Sequence, residues 1–428
     1  MREHAFFFPL GLLALVGFAA LAPNAAAQDP EAIFQAANRA LLRGEVDQAI
    51  AGYDETLRLQ PRHLKAYGNR GLAWSQKGEQ QKAIADFDQV LRLDPRSDHA
   101  YAARAVAWGT LGNLERAIAD LTAAIQLNPV KAAYHTNRGD LLRRRPDLER
   151  AIADHNEAIR LDPQFAATYY NRAVAWSDAG DMPRAIADYG ECLALEPAKV
   201  EAYINRGNLW CDSGEFAKGL ADFNQAVRLR PDWAVPFHNR GRVWAQVGKD
   251  DQAIADFNQA IRFDANLAIT YYWRGEAWLR KGDVGKALFD FEEVVRREPE
   301  NAFVHSRIAL IRSTCLDAAH RDAVAALQHG KKGVELTQVK DARMIDAMAC
   351  ALAESGEFET AIQCEQKAIE LGDRADQEAF RAHLQLLQAR KPIRIVDQLR
   401  PYPSDQPANA GSRETLRRIP SSESTIRQ

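Results

Sequence analysis

The chain has 428 residues, 46% of them hydrophobic and 26% charged, and its 55 Lys and Arg against 58 Asp and Glu leave a formal net charge of -3. That balance offers no basic footprint for nucleic acid or an acidic membrane surface, so neither is an expected partner. The five cysteines (Cys192, Cys211, Cys315, Cys350 and Cys364) are odd in number, widely spaced and without a CxxC, so they specify neither a disulfide framework nor a zinc site and read as small apolar fillers.

The first predicted element is a leader. Arg2, Glu3 and His4 precede an apolar run from Ala5 to Ala22, and Ala25, Ala26 and Ala27 stand ahead of Gln28, the pattern of a secretory signal cleaved after Ala27. The chain is therefore expected to be exported, periplasmic or secreted. The rival reading is an uncleaved anchoring helix, because about 18 apolar residues can just span a bilayer; Pro9, Gly11, Gly17 and the A-x-A site weigh against it. No cysteine lies near the cleavage site to carry a lipid, and no later segment approaches the length of a membrane span.

From residue 30 onward the sequence repeats every 34 residues. Proline recurs at Pro61, Pro95, Pro129, Pro163, Pro197, Pro231 and Pro299, with Ala265 filling the one gap. Small residues recur in two series, one at Ala49, Ala83, Ala117, Ala151, Ala185, Gly219, Ala253 and Ala287, the other at Ala37, Gly71, Ala105, Gly139, Ala173, Gly207, Gly241 and Gly275. Placed face to face, they let two antiparallel helices approach closely. A glycine fifteen positions into each repeat (Gly44, Gly78, Gly112, Gly180, Gly214, Gly248, Gly282, interrupted by Pro146) fits a left-handed turn ending the first helix, and the proline stops the second. Apolar residues at three- and four-residue spacing, as in Tyr67, Gly71 and Trp74 and then Ala83, Phe87 and Val90, predict two short amphipathic helices per repeat. Trp74, Trp108, Trp176, Trp210, Trp244 and Trp278 share one inward slot and read as core.

This unit resembles the tetratricopeptide repeat. The resemblance implies an all-α fold: a right-handed superhelical solenoid of about ten helix-turn-helix units with a C-terminal capping helix. Eight regular repeats are placed over residues 30–301 and two divergent ones over 302–373, the first of these with an insertion around Thr314 to Arg321. Phe380, Leu384 and Leu387 predict a capping amphipathic helix over 374–390. Residues 391–428, rich in Pro, Ser, Arg and Asp without apolar periodicity, are expected to form a disordered tail.

Two polar series run in the same phase. Arg70, Arg104, Arg138, Arg172, Arg206, Arg240 and Arg274 precede the small first-helix residue, and Asp86, Asp120, Asp154, Asp188, Asp222, Asp256 and Asp290 sit on the second helix. Pairing within one repeat (Arg70 with Asp86, Arg104 with Asp120, Arg172 with Asp188, Arg240 with Asp256) orphans none of them, so structural ion pairs are expected. The other series is Asn69, Asn137, Asn171, Asn205 and Asn239, broken at Ala103 and Trp273. A side-chain amide donates and accepts, so a row of them can pair with an extended peptide backbone. The row is similar to the asparagine ladder of the superhelical repeats of O-linked N-acetylglucosamine transferases, and in the family that side faces a concave groove. The same phase projects Tyr170, Val174, Ile204, Asn208, His238, Arg242, Tyr272, Trp273 and Glu276 onto the groove, with Asn171, Asn205 and Asn239 as the best part of the ladder.

No H-E-x-x-H, G-x-S-x-G, P-loop or G-x-G-x-x-G is present, the ten histidines are scattered, and no segment outside the array is long enough for a catalytic domain. The expectation is a non-enzymatic scaffold without cofactor or metal that binds peptide segments or partner proteins in its groove. Two alternatives stand beside it: an adaptor or regulatory subunit for envelope enzymes using convex or edge surfaces, and a self-associating structural component of the envelope.

Overall fold

A computed structural model describes residues 29–395. The expected leader and the chain beyond Ile395 lie outside the described residues. Among the described residues there are 21 α-helices, one short 3-10 helix and no strand. None of these helices is long and apolar enough to cross a membrane.

The chain divides at Arg145 and Pro146 into two compact bodies. The first contains α1 (Pro30–Leu42), α2 (Val46–Leu59), α3 (Leu64–Gln76), α4 (Gln80–Leu93), α5 (Asp98–Thr110), α6 (Leu114–Leu127) and α7 (Ala132–Arg144). The second begins with α8 (Leu148–Leu161), α9 (Ala166–Asp178), α10 (Met182–Leu195), α11 (Val200–Asp212), α12 (Phe216–Leu229), α13 (Ala234–Gln246), α14 (Asp250–Phe263), α15 (Ala268–Arg280) and α16 (Val284–Arg297). It ends with α17 (Ala302–Thr314), α18 (Ala323–Leu336), α19 (Ala342–Glu354), α20 (Phe358–Leu371) and α21 (Gln377–Gln388). Within each body a first helix packs against its own second helix, and that second helix against the next first helix.

The turn inside each hairpin follows from its glycine. Gly78 has φ +86°, and Gly248 +76°, a region where an ordinary side chain is strained. That conformation lets the next amide reach back into the helix, Glu79 N donating to the Trp74 carbonyl at 2.9 Å and Lys249 N to Trp244 at 2.8 Å, which satisfies carbonyls the helix end would otherwise leave open. Several helix starts are capped by a side chain accepting from the first turn: Ser97 for α5, Asn113 for α6, Asp181 for α10, Asp283 for α16 and Asn301 for α17.

The hairpins close on a ring-into-gap contact. A Cβ on Gly241 would lie 2.8 Å from Cε1 of Phe257, and one on Gly275 2.9 Å from Cε1 of Phe291. The small first-helix residue is thus required by the aromatic ring of the second helix as well as by the facing small residue. Tyr53, Phe87, Tyr189, Phe223, Phe257 and Phe291 all occupy this ring position and are fully buried. Each contributes on the order of 2–3 kcal/mol by leaving water.

The insertion is a loop carrying the 3-10 turn Ala318–His320 between α17 and α18. The capping helix α21 buries Phe380 and Leu387 completely. The chain beyond it departs from expectation. Residues 391–395, assigned by composition to an unstructured tail, are seated: Ile393 is buried, the Ile395 amide donates to the Thr314 carbonyl at 3.1 Å, and Arg394 Nη1 lies 2.7 Å from Glu354 Oε2. Two apolar side chains and one ion pair suffice to dock the segment although it lacks helical periodicity.

Candidate interaction site

The side chains offered to a partner are set by two lattices of contacts that recur with the repeat. In the first, the guanidinium of Arg70, Arg104, Arg172, Arg206, Arg240 and Arg274 forks onto the aspartate of its own hairpin. Arg70 donates from Nε to Asp86 at 2.8 Å and from Nη2 at 2.6 Å; Arg104 does the same to Asp120 at 2.8 and 2.7 Å. In the second body Arg172 meets Asp188 at 2.7 and 2.7 Å, Arg206 meets Asp222 at 2.9 and 2.7 Å, and Arg240 meets Asp256 at 2.7 and 2.6 Å. The third donor crosses to the preceding repeat: Nη1 of Arg70 to Asp54 at 2.6 Å, of Arg172 to Asn156 at 2.7 Å, of Arg240 to Asn224 at 2.8 Å and of Arg274 to Asn258 at 2.7 Å. Arg70, Arg172, Arg240 and Arg274 therefore each tie two repeats together, whereas Arg206 faces Gly190 and lacks that third bond among the described residues. The two partners respond unequally. Asp86 is raised above the usual carboxylate range by burial even though Arg70 opposes it, while Arg70 is pushed up by hydrogen bonds to Asp86 and then Asp54. The arginine gains from two anions at the rim, whereas the aspartate bears the desolvation cost, so the pair fixes geometry more than it adds stability.

The second lattice was not anticipated from the sequence. The six tryptophans are half-buried rather than core, and each carries a cation over its exposed face: Lys82 4.4 Å from the Trp74 ring centre, Arg116 4.6 Å from Trp108, Arg184 4.6 Å from Trp176, Lys218 4.4 Å from Trp210 and Lys286 4.2 Å from Trp278. In the seventh repeat that cation is replaced by Gln252, and Lys249 covers Trp244 at 5.1 Å instead. The signal was there: a basic residue eight places after the tryptophan in five of the six repeats.

The projected groove residues come together along the first helices of the second body, with a different exposure from the one expected. Asn171, Asn205 and Asn239 are 9%, 3% and 1% exposed. The amide of Asn205 donates to the hydroxyl of buried Tyr170 at 2.9 Å. These three asparagines are thus buried, Asn205 against the preceding first helix, and do not stand open to an extended chain. Ile204 and Tyr272 are buried too. His238 is buried against Thr270, Nδ1 to Oγ1 2.9 Å, and burial with the nearby Arg242 charge pushes it down to about 3, which keeps the ring neutral. What remains partly accessible is Val174, Asn208, Arg242, Trp273 and Glu276. These are joined from repeat to repeat. The Arg242 guanidinium lies 5.5 Å from the Trp273 ring centre, Trp273 packs edge-on to Tyr272 at 5.6 Å, and Glu276 accepts from Arg307 Nε at 2.9 Å and Nη2 at 3.2 Å. The result is one fixed strip across α13, α15 and α17, mixed in charge and centred on an indole.

A second cluster lies at the far end of this body. Asp346 and Cys350 on α19, Glu365 on α20 and His383 on α21 converge, with Asp346 Oδ1 2.6 Å from His383 Nδ1. Ligand atoms of Asp346, Cys350 and His383 all fall within 4.8 Å of one another. Burial and the neighbouring Asp346 charge push Glu365 far above the carboxylate range, and burial pushes Cys350 well up. Sequence spacing concealed the group, because its members lie on three helices and His383 stands 37 residues from Asp346. Burial pushes the Cys192 and Cys211 thiols up to about 12, which leaves those two unreactive. All five cysteines are unpaired with one another.

Paired helices of fixed length, a glycine turn, a ring-into-gap contact and a first-helix strip define an all-α helix-turn-helix repeat array. The repeat matches the tetratricopeptide repeat: models of that description match residues 64–97, 103–166 and 170–233, and a TPR repeat model matches 241–282. Solved structures similar to this chain include a tetratricopeptide repeat protein from Parabacteroides merdae, at 19% identity over 68% of this chain and 99% of that one, with a TM-score of 0.43. The C-terminal part of a TPR repeat-containing protein from Cytophaga hutchinsonii is 18% identical over 54% of this chain and 95% of that one, with a TM-score of 0.46. YrrB, described as a TPR protein with an unusual peptide-binding site, is 18% identical over 43% of this chain and 95% of its own, with a TM-score of 0.38. No curated protein sequence matches the chain.

Proposed function

We infer that this chain is an exported, non-enzymatic scaffold that holds peptide segments of partner proteins against the first-helix strip around Arg242, Trp273 and Glu276. The observation that carries the reading is the combination of accessibility and rigidity in that strip. Trp273 is partly exposed yet held by Tyr272 and Arg242, and Glu276 is held by Arg307, so a ligand meets preset side chains and little rotamer freedom is lost on binding. Tryptophan and arginine are also the residues whose truncation most often costs binding energy at protein interfaces. Export rests on the leader pattern ending at Ala27.

The test is a displayed library of random peptides selected on the immobilised chain. Selected peptides are expected to lose about tenfold or more in affinity on Trp273→Ala and on Arg242→Ala, a loss above 1.4 kcal/mol each. Arg116→Ala, which uncovers Trp108 in the other body, should leave binding unchanged. Peptides bound equally well by all three variants would remove the strip from the account. A signal-sequence reporter fused after Ala27 tests export separately.

A further inference from the structure

The closing repeat breaks the pattern of the array at side chains that touch one another. The second-helix position filled by Phe223, Phe257 and Phe291 in earlier repeats is filled here by Glu365. The small first-helix residue Ala349 is followed 34 places later, on the capping helix, by His383. Asp346 and Cys350 stand four residues apart on α19, one turn, and so share a face. Asp346, Cys350 and Glu365 are essentially without solvent contact, and the His383 side chain retains 15%. A fully buried carboxylate in a slot that elsewhere holds an aromatic ring is costly unless something compensates its charge. Among the described residues neither Glu365 oxygen has a hydrogen-bond donor, and its nearest cationic candidate, His383 Nδ1, is 3.9 Å from Oε1 and already engaged by Asp346.

We propose that Asp346, Cys350, Glu365 and His383 form a closed structural site for a divalent transition metal, with zinc the ion that matches one thiolate, one imidazole and two carboxylates. To reach the ~3.3–3.8 Å ligand separations of a tetrahedral zinc with bonds near 2.0–2.3 Å, separations of up to 4.8 Å among the three atoms need to close by on the order of 1 Å, and Asp346 Oδ1 and His383 Nδ1, 2.6 Å apart, need to open by about as much. Glu365 supplies the fourth ligand from the opposite helix. On binding, Cys350 releases its thiol proton to solvent, and the ion offsets two of the three negative charges of the thiolate and the two carboxylates while cross-linking α19, α20 and α21. It thereby locks the cap over the end of the array, where an unsealed repeat would expose its apolar face. The site is independent of the first-helix strip and of whatever binds there.

The test uses the full chain stripped with chelator and dialysed against Zn2+ or Co2+ alone. The expected result is one equivalent of either ion, with the cobalt form showing a thiolate-to-cobalt charge-transfer band and the intense visible absorption of four-coordinate cobalt. Cys350→Ser should abolish the charge-transfer band, and Glu365→Gln, nearly isosteric, should weaken binding by about tenfold or more. Cys211→Ser and His329→Gln, at a distant thiol and a distant imidazole, should change neither. Zinc should raise the thermal midpoint of the wild type and not that of His383→Gln. Wild-type protein that binds no stoichiometric ion, or a cobalt form without the thiolate band, would overturn the proposal and leave a proton shared by Asp346 and Glu365 as the compensating charge. Those wild-type readings stand even if a variant fails to fold.

Discussion

Replacing Arg274 by methionine strands Asp290, whose side chain is 1% exposed and which accepts from Arg274 Nε at 2.9 Å and Nη2 at 2.6 Å. Removing one partner of a buried pair costs about 3–5 kcal/mol. Arg274 keeps 15% exposure, so some screening persists and the lower end, about 3 kcal/mol at neutral pH, is expected. Removing both charges with Arg274→Met and Asp290→Leu eliminates the stranded carboxylate and should return to within about 1 kcal/mol of the wild type. Burial already raises Asp290 above the usual carboxylate range, with Arg274 opposing the rise. A group with a raised folded-state pKa favours folding below its unfolded value and loses that contribution as pH rises through the folded one. The single variant should therefore be penalised most at pH 7 and least near pH 4. Repeat arrays do not unfold as one cooperative unit, so the appropriate assay is hydrogen-exchange protection of the α15 and α16 amides. A single variant no less protected than the double one, at any pH, would refute the assignment of Arg274 as the group that makes the Asp290 charge tolerable.

The ring-into-gap contact predicts that Gly241→Ala costs about 1–3 kcal/mol through the clash with Phe257, despite alanine's better helix propensity, as read by hydrogen-exchange protection of the α13 and α14 amides. Gly248→Ala meets nothing within 4 Å and should cost about 1–2 kcal/mol purely from its φ of +76°. For the tryptophan lattice, Lys249→Ala should raise solvent quenching of Trp244 fluorescence, and adding Gln252→Lys should restore protection by rebuilding the arrangement of the other repeats. His238 and His329 are pushed down to about 3 and about 4, chiefly by burial. Their lowered folded-state pKa means that the unfolded chain takes up protons first, so stability should fall as pH drops from about 6.5 toward 4. Replacing both by glutamine should flatten that fall in a pH series of thermal melts.

The helices, their turns and the pairing of arginine with aspartate were legible because each recurs in phase: one position out of register would have broken the 34-residue series of Pro95, Gly78 or Asp86. The bridge from Arg70 to Asp54 was not legible, because the receiving position changes from Asp54 to Thr122, Asn156 and Gly190 and so shows no series. The asparagine row illustrates the limit of phase alone. Phase places Asn205 on the correct side of α11, but whether that side is open depends on how closely the preceding first helix approaches, and Tyr170 of α9 fills the space. The Asp346, Cys350, Glu365 and His383 cluster was hidden for the opposite reason: it consists of departures from the repeat, which periodicity discards, and only the fold of α19, α20 and α21 brings them together.

Hydrogen exchange on the chain with and without a selected peptide decides whether ligands are held on the first-helix strip. Added protection is expected in α13, α15 and α17, around Arg242, Trp273 and Arg307, with α14 and α16 unchanged. Protection confined to α14 and α16, or to the body that contains α1 to α7, would contradict it.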